Sequence, residues 1–323
     1  MKNELYPIKF KPILKEKVWG GTKLKDILQK NTVSNKTGES WEISDIEEDV
    51  SVVSEGSLSG KTLREIITLY KEDLVGEKVY HSFQHTFPLL FKFIDADQNL
   101  SLQLHPDNKT ALKRHNSFGK TEMWYVLQAD KDAGMYIGFK NGSTLDDYLN
   151  HLKKGTLEQI MNFIKVKPGD VFNIKPGLVH SIGKGILLAE IQQSSDITYR
   201  IFDWNRKDFN GKPRKLHTDL ALDVIDFEFD EFQISYPKTH NRFQTLVENE
   251  FFKTRIIHVR ENISLDYPSK SSFIVFMCVS GKAEIHSHNF TASLNKGETV
   301  FIPACLTNVE IHSQQADLLE VRV

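Results

Sequence analysis

The sequence has little cysteine, no long apolar run and almost no net charge, and each shortage excludes a class of protein. Cys278 and Cys305 are its only cysteines, too few for a disulfide framework and too far apart for a C-x-x-C motif. No stretch reaches the roughly 18 apolar residues that a membrane-spanning helix requires. The formal net charge of −2 leaves no basic footprint for nucleic acid, and residues 1–7 contain no apolar segment typical of a secretory signal. We therefore expect a soluble cytoplasmic protein that binds neither membranes nor nucleic acid.

An internal repeat indicates how the 323 residues are divided. Residues 169–174 match residues 297–302 at an offset of 128, and upstream of these segments residues 124–129 resemble residues 276–281. Each matched pair has the pattern of a strand that enters a turn. The repeat predicts a mainly β protein with two barrels related by duplication and a few short helices. We expect the boundary near residue 235, giving domains 1–235 and 236–323.

Two short polar patterns predict where helices begin. In a capping box, a Thr hydroxyl bonds the backbone N–H three residues later, and a Glu or Gln side chain there bonds back. Thr62 with Glu65 fits this pattern and predicts a helix that runs to about Leu74. Thr156 with Gln159 predicts a second helix.

Two polar side chains interrupt an otherwise apolar strand at residues 102–105. Successive strand side chains point to opposite faces, so Gln103 and His105 share one face and the leucines beside them share the other. Glu122 begins a second predicted strand, and His180 ends a third predicted element. If these strands are neighbours in a barrel, the four side chains converge. Two imidazoles and a carboxylate are suitable ligands for a catalytic zinc, with Gln103 as the weakest ligand.

The order of these motifs resembles that of the type I mannose-6-phosphate isomerases. The motifs are Q-x-H-P-D at residues 103–107, K-T-E at 120–122, P-G-x-x-H at 176–180 and the run 190–200. Members of that family are zinc enzymes on a cupin (jelly-roll barrel) scaffold. The resemblance, strongest between about residues 5 and 220, implies two cupin barrels, the first of which holds one Zn²⁺ per chain. It also implies interconversion of mannose 6-phosphate and fructose 6-phosphate through a cis-enediol, by a compact form of the enzyme.

An aldose–ketose isomerase must stabilise negative charge on oxygen, move a proton between C1 and C2, and hold a phosphate. The resemblance implies that Arg200 is the active-site arginine. Either Arg200 or Lys120 is suited to the phosphate, because arginine binds phosphate with two parallel hydrogen bonds and lysine acts as a point charge. Three candidates remain for the base: Glu190, Asp196 and Lys120.

Other polar segments have two interpretations each. Trp19 and the glycines that follow it are either a pocket rim or a tight turn. The cationic residues of 108–119 either attract an anionic substrate or form a solvated face. His286 and His288 are expected on the surface, because they lie on a strand after the turn and not before it. Since Asn308 replaces His180 in the repeat, the second barrel is expected to hold no metal.

Two rival functions remain open at this point. Two histidines and one carboxylate also describe the ligands of an iron(II) oxygenase. The chain could instead be a non-catalytic cupin that binds a sugar phosphate without turnover. The conjunction of Lys120, Asp196 and Arg200 favours a phosphosugar over oxygen chemistry.

Overall fold

The computed structural model describes residues 4–228 and 231–323 and consists mainly of β-strands. The strands are β1 (Ile13–Gly21), β2 (Thr37–Ile43), β3 (Asp45–Ile46), β4 (Asp49–Val50), β5 (Leu89–Ala96), β6 (Leu102–Leu104), β7 (Glu122–Ala129), β8 (Gly134–Phe139), β9 (Met161–Lys165), β10 (Val171–Ile174), β11 (His180–Ser181), β12 (Ile186–Gln193), β13 (Tyr199–Phe202), β14 (Gln233–Ile234), β15 (Gln244–Glu248), β16 (Lys253–Val259), β17 (Ile263–Asp266), β18 (Ile274–Ser287), β19 (Phe290–Asn295), β20 (Thr299–Ile302), β21 (Asn308–His312) and β22 (Ala316–Arg322). The α-helices are α1 (Lys23–Asp26), α2 (Leu63–Tyr70), α3 (Glu72–Val75), α4 (Glu77–Phe83), α5 (Asn108–His115), α6 (Leu145–Lys154) and α7 (Thr218–Leu222). Within the described ranges, no helix has the length and apolarity needed to cross a membrane.

The first barrel is formed by two antiparallel sheets. One has the strand order β1–β2–β5–β12–β7–β10–β14, and the other has the order β13–β6–β11–β8–β9. Side chains from both sheets meet in one buried apolar cluster that includes Trp124 and Leu188 from the first sheet and Met135 and Ile137 from the second. The two sheets therefore face each other, and this cluster fills part of the space between them.

Successive apolar side chains of β12 point to opposite faces of its sheet, and both faces are buried. Leu188 points into the barrel, whereas Leu187, Ala189 and Ile191 belong to a cluster on the outer face. That outer cluster also contains Val275, Met277 and Leu319 of the second barrel. Burial of each of the larger apolar side chains contributes about 1.5–3 kcal/mol, so this shared cluster stabilises the contact between the two barrels.

The duplication inferred from the sequence is confirmed by strand register. Phe172 on β10 lies opposite Trp124 on β7, and Val300 on β20 lies opposite Phe276 on β18. Both pairs follow the alignment predicted from the repeat. In the same register, Glu122 of the first barrel corresponds to Ile274 of the second. The second barrel therefore has an apolar residue where the first has a candidate metal ligand.

The predicted boundary near residue 235 falls between strands of different sheets. β14 pairs with β10 in the first barrel, and β15 pairs with β16 in the second. The extreme N-terminal segment crosses this division, because Ile8 forms two backbone hydrogen bonds with Phe301 of β20. The exact division into residues 1–235 and 236–323 stays a prediction.

One helix start is confirmed and the other is wrong. Thr62 and Glu65 form both capping-box bonds, but the helix ends at Tyr70 because Lys71 takes a positive φ of 50°. Thr156 makes no cap bond and precedes a single 3₁₀ turn, Leu157–Ile160. A capping box forms instead at Thr144, at the start of α6.

Candidate metal and substrate site

Three predicted site residues form a row across the five-stranded sheet. Gln103 on β6 lies opposite Arg200 on β13 and, on its other side, opposite His180 on β11. Directly opposed residues on neighbouring strands share a face. These three side chains therefore point together toward the seven-stranded sheet.

A second row runs across the facing sheet, in the order Trp41 (β2), Lys92 (β5), Glu190 (β12) and Trp124 (β7), each opposite the next. Lys92 Nζ donates to Glu190 Oε1 at 2.8 Å, and Trp124 Nε1 donates to Glu190 Oε2 at 2.8 Å. Both oxygens of Glu190 are therefore occupied by donors in the barrel wall.

His105, Glu122 and His180 meet where the two sheets come together. One ligand atom from each residue can be chosen so that all three atoms lie within 4.8 Å of one another. His105 Nε2 lies 3.3 Å from Glu122 Oε1, and His180 Nε2 lies 3.9 Å from Glu122 Oε2. All three side chains are buried. This is the one such group of three or more potential ligands found in residues 4–228 and 231–323.

Each histidine of this group is held in one orientation by a main-chain carbonyl. Nδ1 of His105 lies 2.9 Å from Ile197 O, and Nδ1 of His180 lies 2.8 Å from Leu178 O. A carbonyl oxygen only accepts, so Nδ1 carries the proton and Nε2 keeps a lone pair with which it can bind a metal. Burial lowers the pKa of His105 to about 4, with the positive charge of Lys120 adding to the effect, and burial also lowers the pKa of His180. Both imidazoles are therefore neutral, the state that binds metal.

Glu122 is charged despite its burial. Burial alone would raise its pKa, but Lys120 and His105 outweigh this effect and hold the pKa well below its ordinary value. Lys120 Nζ lies 2.9 Å from Glu122 Oε1. Neither oxygen of Glu122, nor Nε2 of His105, has a partner with hydrogen-bond geometry. Buried polar atoms without partners cost free energy unless an ion or a water occupies the space between them. These unsatisfied atoms, together with histidine rings held by backbone carbonyls, therefore fit a divalent metal.

Gln103 is at the edge of this group. Its Nε2 lies 3.5 Å from His180 Nε2, and its Oε1 accepts a hydrogen bond from Ser101 at 3.1 Å. An amide binds a metal through oxygen, so the terminal amide of Gln103 must turn over to act as a ligand. Its place as a fourth ligand therefore stays a prediction.

A cavity of about 400 Å³ opens beside the metal group, and its lining has more cationic than anionic side chains. Its charged lining consists of six cationic side chains and three carboxylates: Lys15, Lys17, Lys92, Lys120, Arg200 and Arg214, with Glu39, Glu190 and Asp196. Gln103 and His180 also line it. The excess of positive charge suits an anionic ligand.

Arg200 is fixed by its neighbours while part of its guanidinium is left unsatisfied. Nη1 donates to Lys215 O at 3.0 Å, and Nε is buried without a partner. Burial lowers the pKa of Arg200 and the nearby positive charge of Arg214 lowers it further, although an arginine stays charged at any working pH. The side chain therefore has a donor to offer within the cavity.

The three candidate bases differ in their surroundings. Glu190 is committed to Lys92 and Trp124, as described above. Lys120 is buried and ion-paired with Glu122. Asp196 is exposed at the cavity wall, and its carboxylate has no hydrogen bond to any described residue.

Sequence reasoning missed several residues of the cavity wall. The unassigned charged residues are Lys15, Lys17, Glu39, Lys92 and Arg214. A signal was present on β1, where Lys15, Lys17 and Trp19 alternate along one face. Trp19 lines the cavity, which supports its interpretation as part of a pocket rim.

The cationic residues of 108–119 lie in a helix outside the cavity. Arg114 donates to Leu220 O and pairs with Asp223. The solvated-face interpretation therefore fits this segment better. In the second barrel, His288 is exposed and His286 is partly exposed, as expected for surface residues.

Comparison with known proteins gives consistent matches at both ends of the chain. The model of the phosphomannose isomerase type I catalytic domain matches residues 8–134, and that of the mannose-6-phosphate isomerase cupin domain matches residues 242–322. Mannose-6-phosphate isomerase ManA of Bacillus subtilis is 34% identical over 310 residues, which cover 92% of this chain and 93% of that protein. The mannose-6-phosphate isomerase of Streptococcus mutans is 39% identical over 219 residues, which cover 68% and 67%.

Solved structures agree with the sequence matches. The crystal structure of mannose 6-phosphate isomerase from Bacillus subtilis superposes with a TM-score of 0.89 at 30% identity and covers 99% of this chain and 100% of that chain. The apo enzyme from Salmonella typhimurium, at 16% identity and a TM-score of 0.77 over 99% of each chain, shares the fold. The near-complete coverage of a relative at 34% identity, together with both family models, shows that this chain belongs to the type I phosphomannose isomerase family.

Proposed function

We propose that this protein interconverts mannose 6-phosphate and fructose 6-phosphate. The observation that carries the proposal is the cationic cavity, because six lysines and arginines surround a pocket next to the His–Glu–His group. A sugar phosphate is a dianion near neutral pH, and this wall offers both charge and polar contacts. Membership of the isomerase family supports the same substrate.

We propose zinc as the metal, one ion per chain. His105, Glu122 and His180 would hold it, with Gln103 as a weaker fourth ligand. Two neutral imidazoles and one carboxylate match a catalytic zinc site that keeps a position open. A bound zinc would supply Lewis acidity to polarise a substrate oxygen.

Arg200 is assigned to substrate anions. Its unsatisfied Nε and its position beside Gln103 support a role in holding either the phosphate or a developing enediolate oxygen. Arg214 lines the same cavity and is held by two hydrogen bonds to Asp203. Arg200 and Arg214 therefore place guanidinium groups in the cavity wall without being part of the metal group.

Proton transfer between C1 and C2, through a cis-enediol, is assigned to a side chain of the cavity wall. Glu190 is the least suited of the three candidates, because a proton on either oxygen would break a hydrogen bond from Lys92 or Trp124. Lys120 forms one ion pair, with Glu122, and the carboxylate of Asp196 has no hydrogen bond to any described residue, so neither would lose two hydrogen bonds in this way. In deuterated water, Lys120→Met and Asp196→Asn should separate the two, since loss of the base abolishes solvent deuterium incorporation at C1 and C2.

The two rival functions make different demands on this cavity. An oxygenase with two histidines and a carboxylate has no need for six cations around its substrate. A non-catalytic binder would keep the phosphate contacts, but it would not need two metal-binding histidines whose rings are held by backbone carbonyls. The contacts of His105 and His180 therefore favour the enzyme.

A coupled assay tests the proposal directly. The purified protein should form fructose 6-phosphate from mannose 6-phosphate, lose this activity on treatment with a chelator, and regain it with added Zn²⁺. Glucose 6-phosphate serves as a control substrate of equal charge. Binding of mannose 6-phosphate without turnover in the metal-loaded protein would favour the non-catalytic binder.

A further inference from the structure

A second cavity lies where the two barrels meet, on the outer face of the seven-stranded sheet. Its volume is about 320 Å³. Trp124 of β7 points into the first barrel, whereas its neighbour Tyr125 points outward and lines this second cavity. The charged and titratable side chains of its other walls, apart from those of the first barrel, are Lys238, His240, His258, Arg260, Lys296 and Asp317. We call this space the junction cavity.

The junction cavity has more positive charge than its one carboxylate can neutralise. Asp317 is paired with Arg260 at 3.1 Å and with His258. Lys238 and Lys296 form no ion pair with any residue in the described part of the chain. Two lysines thus border the cavity as unpaired point charges.

His258 supplies an independent indication that something binds there. Its side chain is 9% exposed, and its Nδ1 lies 2.9 Å from Asp317 Oδ1. This bond fixes the ring, because a carboxylate accepts the Nδ1 proton. Nε2 is buried and has no hydrogen-bond partner. An unsatisfied buried nitrogen costs free energy, so a group that bonds Nε2 would be bound favourably.

We propose that the junction cavity binds a phosphate group, either as inorganic phosphate or as part of a phosphate monoester. Lys238 and Lys296 attract the anion, and Nε2 of His258, whose ring carries its proton on Nδ1, accepts a hydrogen bond from a protonated phosphate oxygen. The site is separate from the catalytic cavity, since the seven-stranded sheet lies between them. An anion held here lies between the two barrels and, by binding only the folded protein, stabilises it by mass action.

The test must report on location, because the catalytic cavity also attracts phosphate. The full-length protein is labelled with ¹³C at histidine Cε1, His258→Gln identifies the His258 signal, and inorganic phosphate is titrated. The His258 signal should shift and saturate. Lys238→Met and Lys296→Met should each raise the Kd from this signal about tenfold or more. Lys282→Met, an exposed lysine of the same barrel, is the matched control and should leave the Kd unchanged.

Two further arms make the result decisive. Arg200→Ala should leave the His258 shift intact, since that residue belongs to the other cavity. A parallel titration with glucose 6-phosphate shows whether the cavity admits an ester or only the free anion. A His258 signal that ignores both ligands, or a shift that disappears with Arg200→Ala, would overturn the proposal.

Anomalous diffraction tests the same site without any histidine variant. Crystals soaked in tungstate, a tetrahedral dianion with strong anomalous scattering, should show a peak near Lys238, Lys296 and His258. An anomalous peak confined to the catalytic cavity would count against the junction site.

Discussion

Gln103 and His180 lie directly opposite each other on neighbouring antiparallel strands, although 77 residues separate them in the chain. Arg200 lies on the other side of Gln103. Strand pairing therefore places a candidate ligand, a polar amide and a candidate substrate-binding arginine in one line. Variants along this line should separate metal binding from substrate binding.

Loss of either histidine should remove the metal. His105→Ala and His180→Ala each delete one of three close ligand atoms, and we expect metal content to fall from about one zinc per chain to near zero. Gln103→Ala should only weaken binding, because its amide oxygen faces Ser101. Elemental analysis of gently purified protein measures this. His286→Ala, in the second barrel, is the control, and full occupancy in a His105→Ala/His180→Ala double variant would contradict the assignment.

Arg200→Ala should reduce kcat/KM by about 10²–10³, the usual cost of losing a preorganised donor. Arg200→Lys keeps the charge but loses the planar fork, so its loss should be smaller yet clear. Zinc content should not change in either variant. An equal fall in kcat and kcat/KM places the contact in the transition state, and a rise in KM alone indicates uniform binding. Parental turnover by the alanine variant would make Arg200 a structural residue.

Lys92→Met should destabilise the fold by about 3–5 kcal/mol, because it leaves buried carboxylates without their cation. Burial alone would lower the pKa of Lys92, but its carboxylate neighbours, Glu190 foremost, raise it. The double variant Lys92→Met/Glu190→Gln should recover part of the loss. Lys165→Met breaks an exposed pair with Asp132, and its cost should stay below about 1 kcal/mol. Urea denaturation measures all three, and equal losses at the buried and exposed pairs would argue against this account.

Asp95→Asn should stabilise the protein at neutral pH but not at pH 4. Burial raises the pKa of Asp95 from 3.8 to about 6. Between those values the folded state keeps a proton that the unfolded state releases, so stability falls as pH rises from about 4 to 6. Asparagine removes this loss, and the variant should gain up to about 3 kcal/mol above pH 6. Asp26→Asn, at an exposed carboxylate, is the control for calorimetry across this range, and a pH-independent difference for Asp95→Asn would refute the prediction.

The sequence by itself determined the local features of this protein. Alternation along residues 102–105 put Gln103 and His105 on one side, since strand geometry depends only on the chain nearby. The 128-residue repeat predicted the two barrels, and the observed register of Trp124 confirmed its alignment. The capping rule failed at Thr156, where a four-residue 3₁₀ turn is followed directly by a strand.

Only the tertiary structure decided which strands are neighbours. Partners in an antiparallel sheet are chosen by packing across long stretches of chain, and no residue spacing encodes that choice. In the sequence, Lys92 is an isolated cation within an apolar strand. Its partner is revealed only by the pairing of β5 with β12, which places Glu190 opposite it. Arg214 joins the cavity wall from a segment without regular structure. The residue types that a metal and phosphate site needs were visible in the sequence. Where they come together depended on how the two sheets pack against each other.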